Sequence, residues 1–271
     1  MFPIVLHHGL FGTGDIQLGP MKLSYFRGID RAIAGRGNPL IITRVHPTSS
    51  VENRARQLKE SVLHQLQILG RTHEKVIMIG HSMGGLDARY AVSKLGMADH
   101  VAAVVTITTP HRGSPVADWI IENLGKKLGG AQLVKALRLD LRAGLDLTTR
   151  RCAMFNRRVP NMPGVRYFSI SACSPGSRLP SFATICHRIV TAAEGANDSL
   201  VSVTSSKWGE HLGVWPADHW HTINRGSALP LGEGPVSIIP FWMRMLDEVE
   251  RRLGTSEPAR SGIAAGGSFG I

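Results

Sequence analysis

Gly80-His81-Ser82-Met83-Gly84 has the spacing G-x-S-x-G, and its setting carries more than its letters. It closes the apolar run Val76-Ile77-Met78-Ile79 and precedes a stretch of helical spacing from Leu86 to Leu95. A serine on a tight strand-to-helix turn projects its hydroxyl above a sheet, small residues on either side let backbone pass closely, and the helix N-terminus beneath favours negative charge. Nucleophilic attack is the chemistry such a serine could do. The chain supplies its own control, because Gly266-Gly267-Ser268-Phe269-Gly270 repeats the pattern in a Gly-rich stretch without strand or helix around it, so Ser268 is set aside.

A serine hydroxyl is a poor nucleophile near neutral pH, so a histidine must take its proton and a carboxylate must orient that histidine. Around such a turn the chain order is serine, acid, histidine. Asp198, in Asn197-Asp198-Ser199-Leu200-Val201, and His219, in Asp218-His219-Trp220-His221, fit that order. Asp218 is the weaker acid because adjacent residues point apart. Glu194 stays open as an acid and His221 as a rival base. Position after Asp198 lifts His219 above the other members of a set of 12 histidines. The oxyanion of a tetrahedral intermediate needs preorganised backbone donors. The N–H of Met83 is one, and the N–H of Leu10 is the other, where Val5-Leu6-His7-His8-Gly9-Leu10 ends in His-Gly-Leu. Asp87 and Arg89 read as fixing the helix after the serine, and His111 and Arg112 read first as loop anchors, second as substrate contacts.

Positioning these groups requires strands, and short apolar runs read as strands over Ile4 to Leu6, Leu40 to Val45, Val76 to Ile79, Val101 to Thr108 and Val165 to Ser171. Between Ser49 and Leu69, apolar Val51, Ala55, Leu58, Val62, Leu66 and Leu69 recur at helical steps, with Ser49 and Glu52 spaced as a capping box. Helices also read over Leu86 to Leu95 and Ile239 to Leu253, and Cys173 to Asn197 reads as a long loop. The alternation predicts an α/β fold with a mostly parallel, doubly wound sheet whose ligand site lies at the carboxyl ends of the strands. One domain is expected over residues 1–253. A helical insertion over about 114–151 is amphipathic, with Trp119, Ile120, Ile121, Leu124 and Leu128 apolar and Lys126 and Lys127 charged. Residues 254–271, rich in Gly, Ala and Ser, read as a disordered tail.

With 271 residues, 43% of them hydrophobic, the chain can fill a substantial core. Its net charge of +11 suits nucleic acid or an anionic lipid surface. No block of five or six Lys/Arg occurs, so nucleic-acid binding is not expected. No apolar run approaches the ~20 residues that span a bilayer. Met1 leads straight into Pro3-Ile4-Val5-Leu6 without the pattern of a secretory signal. Cys152, Cys173 and Cys186 are an odd set that argues against a disulfide framework. A cytoplasmic location is the expectation, with a secreted form that has lost its signal, and a Cys173–Cys186 bridge, left open.

Together these motifs resemble the bacterial triacylglycerol lipase family of the α/β-hydrolase superfamily, from Val5 to about Asn224. The carriers are His8-Gly9-Leu10-Phe11-Gly12, Gly80 to Tyr90, Thr109-Pro110-His111-Arg112-Gly113-Ser114, Asn197 to Ser202, and Asp218-His219. The resemblance implies an α/β-hydrolase fold and carboxylic-ester hydrolysis through an acyl-enzyme. Ser82, Asp198 and His219 would inherit the triad, and the insertion after Ser114 the lid or cap. It implies an acylglycerol or other lipid or small-molecule ester as substrate, with no organic cofactor. The amphipathic insertion points to a meeting at a peripheral membrane or lipid-droplet surface, and an ordinary helical cap over a soluble-ester pocket stays open. A thioesterase, phospholipase or acyltransferase would use the same triad and stays open, as does, more distantly, a non-catalytic protein resting on anionic lipid. Lipases of this family often hold calcium with an aspartate two residues past the histidine and a glutamine a turn later. Here His221 and Arg225 stand there and offer no oxygen donors to a hard cation, so no calcium is expected. His219 and His221 lack a third ligand, so no transition metal is expected either.

Overall fold

A computed structural model describes residues 1–12, 16–18, 21–127, 141–176, 181–225 and 237–254. Strands β1 (Ile4–His7), β4 (Leu40–Ile42), β5 (Val76–His81), β6 (Val101–Ile107), β7 (Arg166–Ala172) and β8 (Glu210–Trp215) form one sheet in the order β4-β1-β5-β6-β7-β8. Every neighbouring pair in it is parallel. A hairpin of β2 (Ile16–Leu18) and β3 (Met21–Leu23) stands apart.

Parallel strands covered on both faces are apolar throughout, and β5 and β6 are buried at every position. Alternate side chains then serve opposite layers. Ile4, Leu6, Ile77, Ile79, Val105 and Ile107 pack with α1 (Ile29–Gly35) and with Trp242, Met245 and Val249 of α8 (Ile239–Gly254). Val5, Met78 and Val104 pack with Ala55, Leu58 and Val62 of α2 (Val51–Ile68) and with Ala88, Ala91 and Val92 of α3 (Met83–Lys94). The doubly wound sheet read from the sequence is present.

Several details differ from the sequence reading. The strand at Leu40 stops at Ile42, because Thr43 still bonds its N–H to Leu6 but Val45 N–H turns to His8 Nε2 at 3.3 Å. The N-cap of α2 is Ser50, whose hydroxyl accepts from Asn53, while Val51 N–H is taken by Asp146, so Ser49 and Glu52 form no capping box. The stretch expected as a loop after Cys173 contains α7 (Ser181–Glu194). The three cysteines are free. The insertion supplies α4 (Pro115–Lys127), α5 (Leu141–Asp146) and α6 (Thr149–Arg158). Val116 and Ile120 of α4 pack on Cys186, Ile189 and Val190 of α7. Leu128 of that insertion, the Gly-rich tail and Ser268 lie outside the described residues. Among the described residues no helix is long and apolar enough to cross a membrane.

Candidate active site

Ser82 joins β5 to α3 with φ 55° and ψ −130°, a conformation that side chains rarely adopt and that surrounding packing must enforce. Its N–H is tied to Ile107 O at 2.9 Å. Glycines make the turn feasible by letting backbone close in. A Cβ on Gly80 would stand 2.5 Å from the backbone of Gly84 and Gly85, and one on Gly84 would stand 2.8 Å from the carbonyls of His7 and His8. Gly9 likewise lies directly on the serine, since its Cβ would fall 2.8 Å from that of Ser82. The turn after β1 thus covers the turn after β5.

That covering turn has an unusual shape, with Phe11 at φ 57°. Phe11 N–H bonds Pro47 O and Gly12 N–H bonds Gly9 O. Among the described residues, neither Leu10 N–H nor Met83 N–H is used in a turn or loop backbone bond. Buried His8 fixes the turn from below. Its Nε2 accepts from Val45 and its Nδ1–H donates to Gly9 O at 2.9 Å, and burial pushes its pKa down to about 3, which keeps it neutral.

Asp198 and His219 come from loops that follow α7 and β8, and the fold brings them together. His219 Nδ1 donates to Asp198 Oδ2 at 2.7 Å. The other carboxylate oxygen accepts from Leu200 and Val201 N–H at 3.0 and 2.7 Å, and the backbones are linked by His219 N–H to Asp198 O at 2.9 Å. The carboxylate assigns the ring proton to Nδ1 and leaves Nε2 as a lone pair. The His219 ring lies 4.8 Å, centroid to centroid, from that of His81, the residue before Ser82. Ser82 and His219 make no direct hydrogen bond to one another among the described residues.

The other candidates have different tasks. Asp218 Oδ1 accepts the N–H groups of Trp220 and His221, capping a short 3-10 turn, and burial raises its pKa. Glu194 takes the Ser202 hydroxyl instead of an imidazole. His221 heads the 3-10 turn, and Asp198 pairs with His219 rather than with it. Asp87 is fully buried between His7 Nε2 and Arg54 Nε, at 2.9 and 2.8 Å. Arg89 lies 3.5 Å from the Trp208 ring centroid and meets His111 Nδ1 at 3.1 Å. His111 and Arg112 are loop anchors. The first bridges Arg89 and Thr106, and the second donates to the carbonyls of Thr204 and Lys207. Arg225 directs its guanidinium to the carbonyls of Ser24 and Tyr25 at 2.6 and 3.1 Å. Among the described residues no cluster of three or more His, Cys, Asp or Glu could hold a metal ion.

Tyr25 belongs to no motif in the sequence, and His81 has only its place before Ser82 to mark it. Tyr25 Oη lies 2.9 Å from His81 Nδ1 and accepts from Gly9 N–H at 3.2 Å. Only the folded arrangement makes the tyrosine a neighbour of the site, whereas the position of His81 inside the serine motif is itself a signal.

Residues 47–209 match the family described as PGAP1-like alpha/beta domain. The chain is 29% identical over 252 residues to Triacylglycerol lipase 2 of Saccharomyces cerevisiae, covering 86% of this chain and 75% of that protein. It is 30% identical over 241 residues to a triacylglycerol lipase of Vibrio cholerae, covering 77% and 75%. In fold it is similar to Staphylococcus hyicus lipase, with a TM-score of 0.71 at 17% identity, covering 94% of this chain and 97% of that one.

Proposed function

Since the chain belongs to the lipase family of the α/β-hydrolase superfamily marked by the PGAP1-like α/β domain, and is a carboxylic ester hydrolase, we propose that Ser82 is its nucleophile, His219 its base and Asp198 the group that orients the base. The observation that carries this reading is the 2.7 Å Asp198–His219 bond beside the strained serine turn. His219 Nε2 takes the Ser82 proton as the hydroxyl attacks the ester carbonyl, then returns it to the leaving alcohol. Water, activated by the same nitrogen, releases the acid. Hydrogen bonds of this kind are often long in a ligand-free site and tighten when the reacting complex forms. Leu10 and Met83 N–H point their charge at the developing oxyanion, helped by the N-terminus of α3.

Lipid esters, acylglycerols among them, are the substrate class. Two relatives are named triacylglycerol lipases, and Phe11 after β1, Trp119 of α4, and Phe182 and Ile185 of α7 keep apolar side chains exposed, at 64%, 44%, 58% and 50%. The paired helices α4 and α7 act as a cap whose apolar residues meet acyl chains or a lipid surface. Rates on nitrophenyl esters from acetate to palmitate, together with an emulsified triacylglycerol, test this directly. The expected result is activity that rises with chain length, persists on the emulsion and is absent in Ser82→Ala. Activity confined to acetate and butyrate would restrict the enzyme to soluble esters.

A further inference from the structure

Tyr25 links parts of the site that come from distant stretches of the chain. Its hydroxyl accepts Gly9 N–H at 3.2 Å and donates to His81 Nδ1 at 2.9 Å. With Nδ1 an acceptor, the His81 proton sits on Nε2, where it faces Thr222 Oγ1 at 3.0 Å and His219 O at 3.2 Å. The Thr222 hydroxyl then donates to the same His219 carbonyl at 2.7 Å. Donors and acceptors therefore run in one direction, from Gly9 N–H through Tyr25, His81 and Thr222 to the backbone of His219. Burial holds His81 well below its ordinary pKa and pushes the Tyr25 phenol up to about 12, so both stay neutral and the chain of bonds is closed at working pH. Arg225 fixes the start of this path by gripping the carbonyls of Ser24 and Tyr25.

We propose that Tyr25, acting through His81, is a positioning residue that sets the oxyanion turn after β1 and the histidine loop after β8 at a fixed distance from each other. The proposal rests on the triad reading above. Both ends of the path carry groups whose placement matters most in the transition state, so loosening it costs turnover more than substrate binding. The hydroxyl is the part that does this, because the ring packs on Phe26 at 5.0 Å with or without it.

Tyr25→Phe removes that hydroxyl and keeps the ring. Steady-state kinetics on a soluble nitrophenyl ester should show kcat lowered about ten-fold or more with KM within about two-fold. The double variant Tyr25→Phe/Thr222→Val should lose about as much as the worse single variant, because both interrupt one path. Val62→Ala, buried on the opposite face of the sheet, serves as the control, lowering the melting temperature while leaving kcat unchanged. Unchanged kcat in Tyr25→Phe, or losses that multiply in the double variant, would overturn the proposal. Labelling by a fluorophosphonate separates the two failures. A wild type labelled on Ser82 together with a fully active Tyr25→Phe removes the path and leaves the triad. A wild type without label on Ser82 removes both.

Discussion

The Asp198 carboxylate is fully engaged before any substrate arrives. Its oxygens accept from Leu200, Val201 and the His219 ring, and its residue is wholly buried. Such a group cannot move to follow the reaction. It fixes one ring orientation and one tautomer, and in the proposed triad it would stabilise the imidazolium formed when Ser82 loses its proton. Asp198→Asn presents an N–H to the ring proton and turns the tautomer over, so kcat on a soluble ester should fall by about four orders of magnitude with little change in KM. A loss smaller than ten-fold would hand the orienting role to another acid. Asp218 offers the internal contrast. It caps a turn with two backbone bonds, so Asp218→Asn should cost about 1 kcal/mol of stability or less, read as a shift in urea midpoint, and leave kcat within a few-fold.

At the scale of elements, the serine turn depends on how tightly α3 is pressed against β1 and β5. Gly84→Ala would drive a methyl group against the carbonyl oxygens of His7 and His8, which belong to backbone that cannot swing aside. A destabilisation of about 3 kcal/mol is expected, with turnover of the surviving folded enzyme reduced because Met83 N–H, the proposed oxyanion donor, shifts with the helix. Gly144, in α5, has open space where a Cβ would go. Gly144→Ala should therefore be neutral or stabilising by up to ~1 kcal/mol in the same denaturation assay. Equal effects at the two glycines would contradict the close approach described for Gly84.

Which elements could be read from sequence follows from the same physics. Both faces of β5 and β6 are covered, so the apolar runs Val76 to Ile79 and Val101 to Val105 stand out without any alternation. β8 was missed because it is an edge strand, Glu-His-Leu-Gly-Val-Trp, partly exposed and carrying Gly213 at φ 143° where its pairing with β7 shifts register. α7 left a usable signal, with Phe182, Ile185 and Ile189 at helical spacing, that the surrounding Ser and Pro residues obscured. Asp198 and His219 could be picked out by their order after Ser82, and the fold pairs them at 2.7 Å. Tyr25 could not, since its place beside His81 exists only once the chain has folded.

Over the whole molecule, the most general consequence is a dependence of stability on pH. His7, His8, His81 and His111 are buried and held neutral, each with a pKa depressed below the ordinary value of 6.5 chiefly by desolvation. Below pH 6.5 the unfolded chain therefore binds more protons than the folded one. Their contribution is fully present above that pH and is lost as pH falls, by up to ~1.4 kcal/mol per pH unit for each ring. Urea denaturation should show a loss of several kcal/mol between about pH 7.5 and about pH 5.5. A midpoint that stays level over that range would mean these rings take up protons without unfolding.

The proposed triad requires that one hydroxyl among the many in this chain be activated for attack. Reaction of the wild-type chain with a fluorophosphonate, followed by peptide mapping in a mass spectrometer, addresses it without any assumption about the natural substrate. The expected result is a single adduct on Ser82, lost in Ser82→Ala and strongly slowed in His219→Ala. An adduct on another residue, or none on a chain that hydrolyses esters, would contradict it.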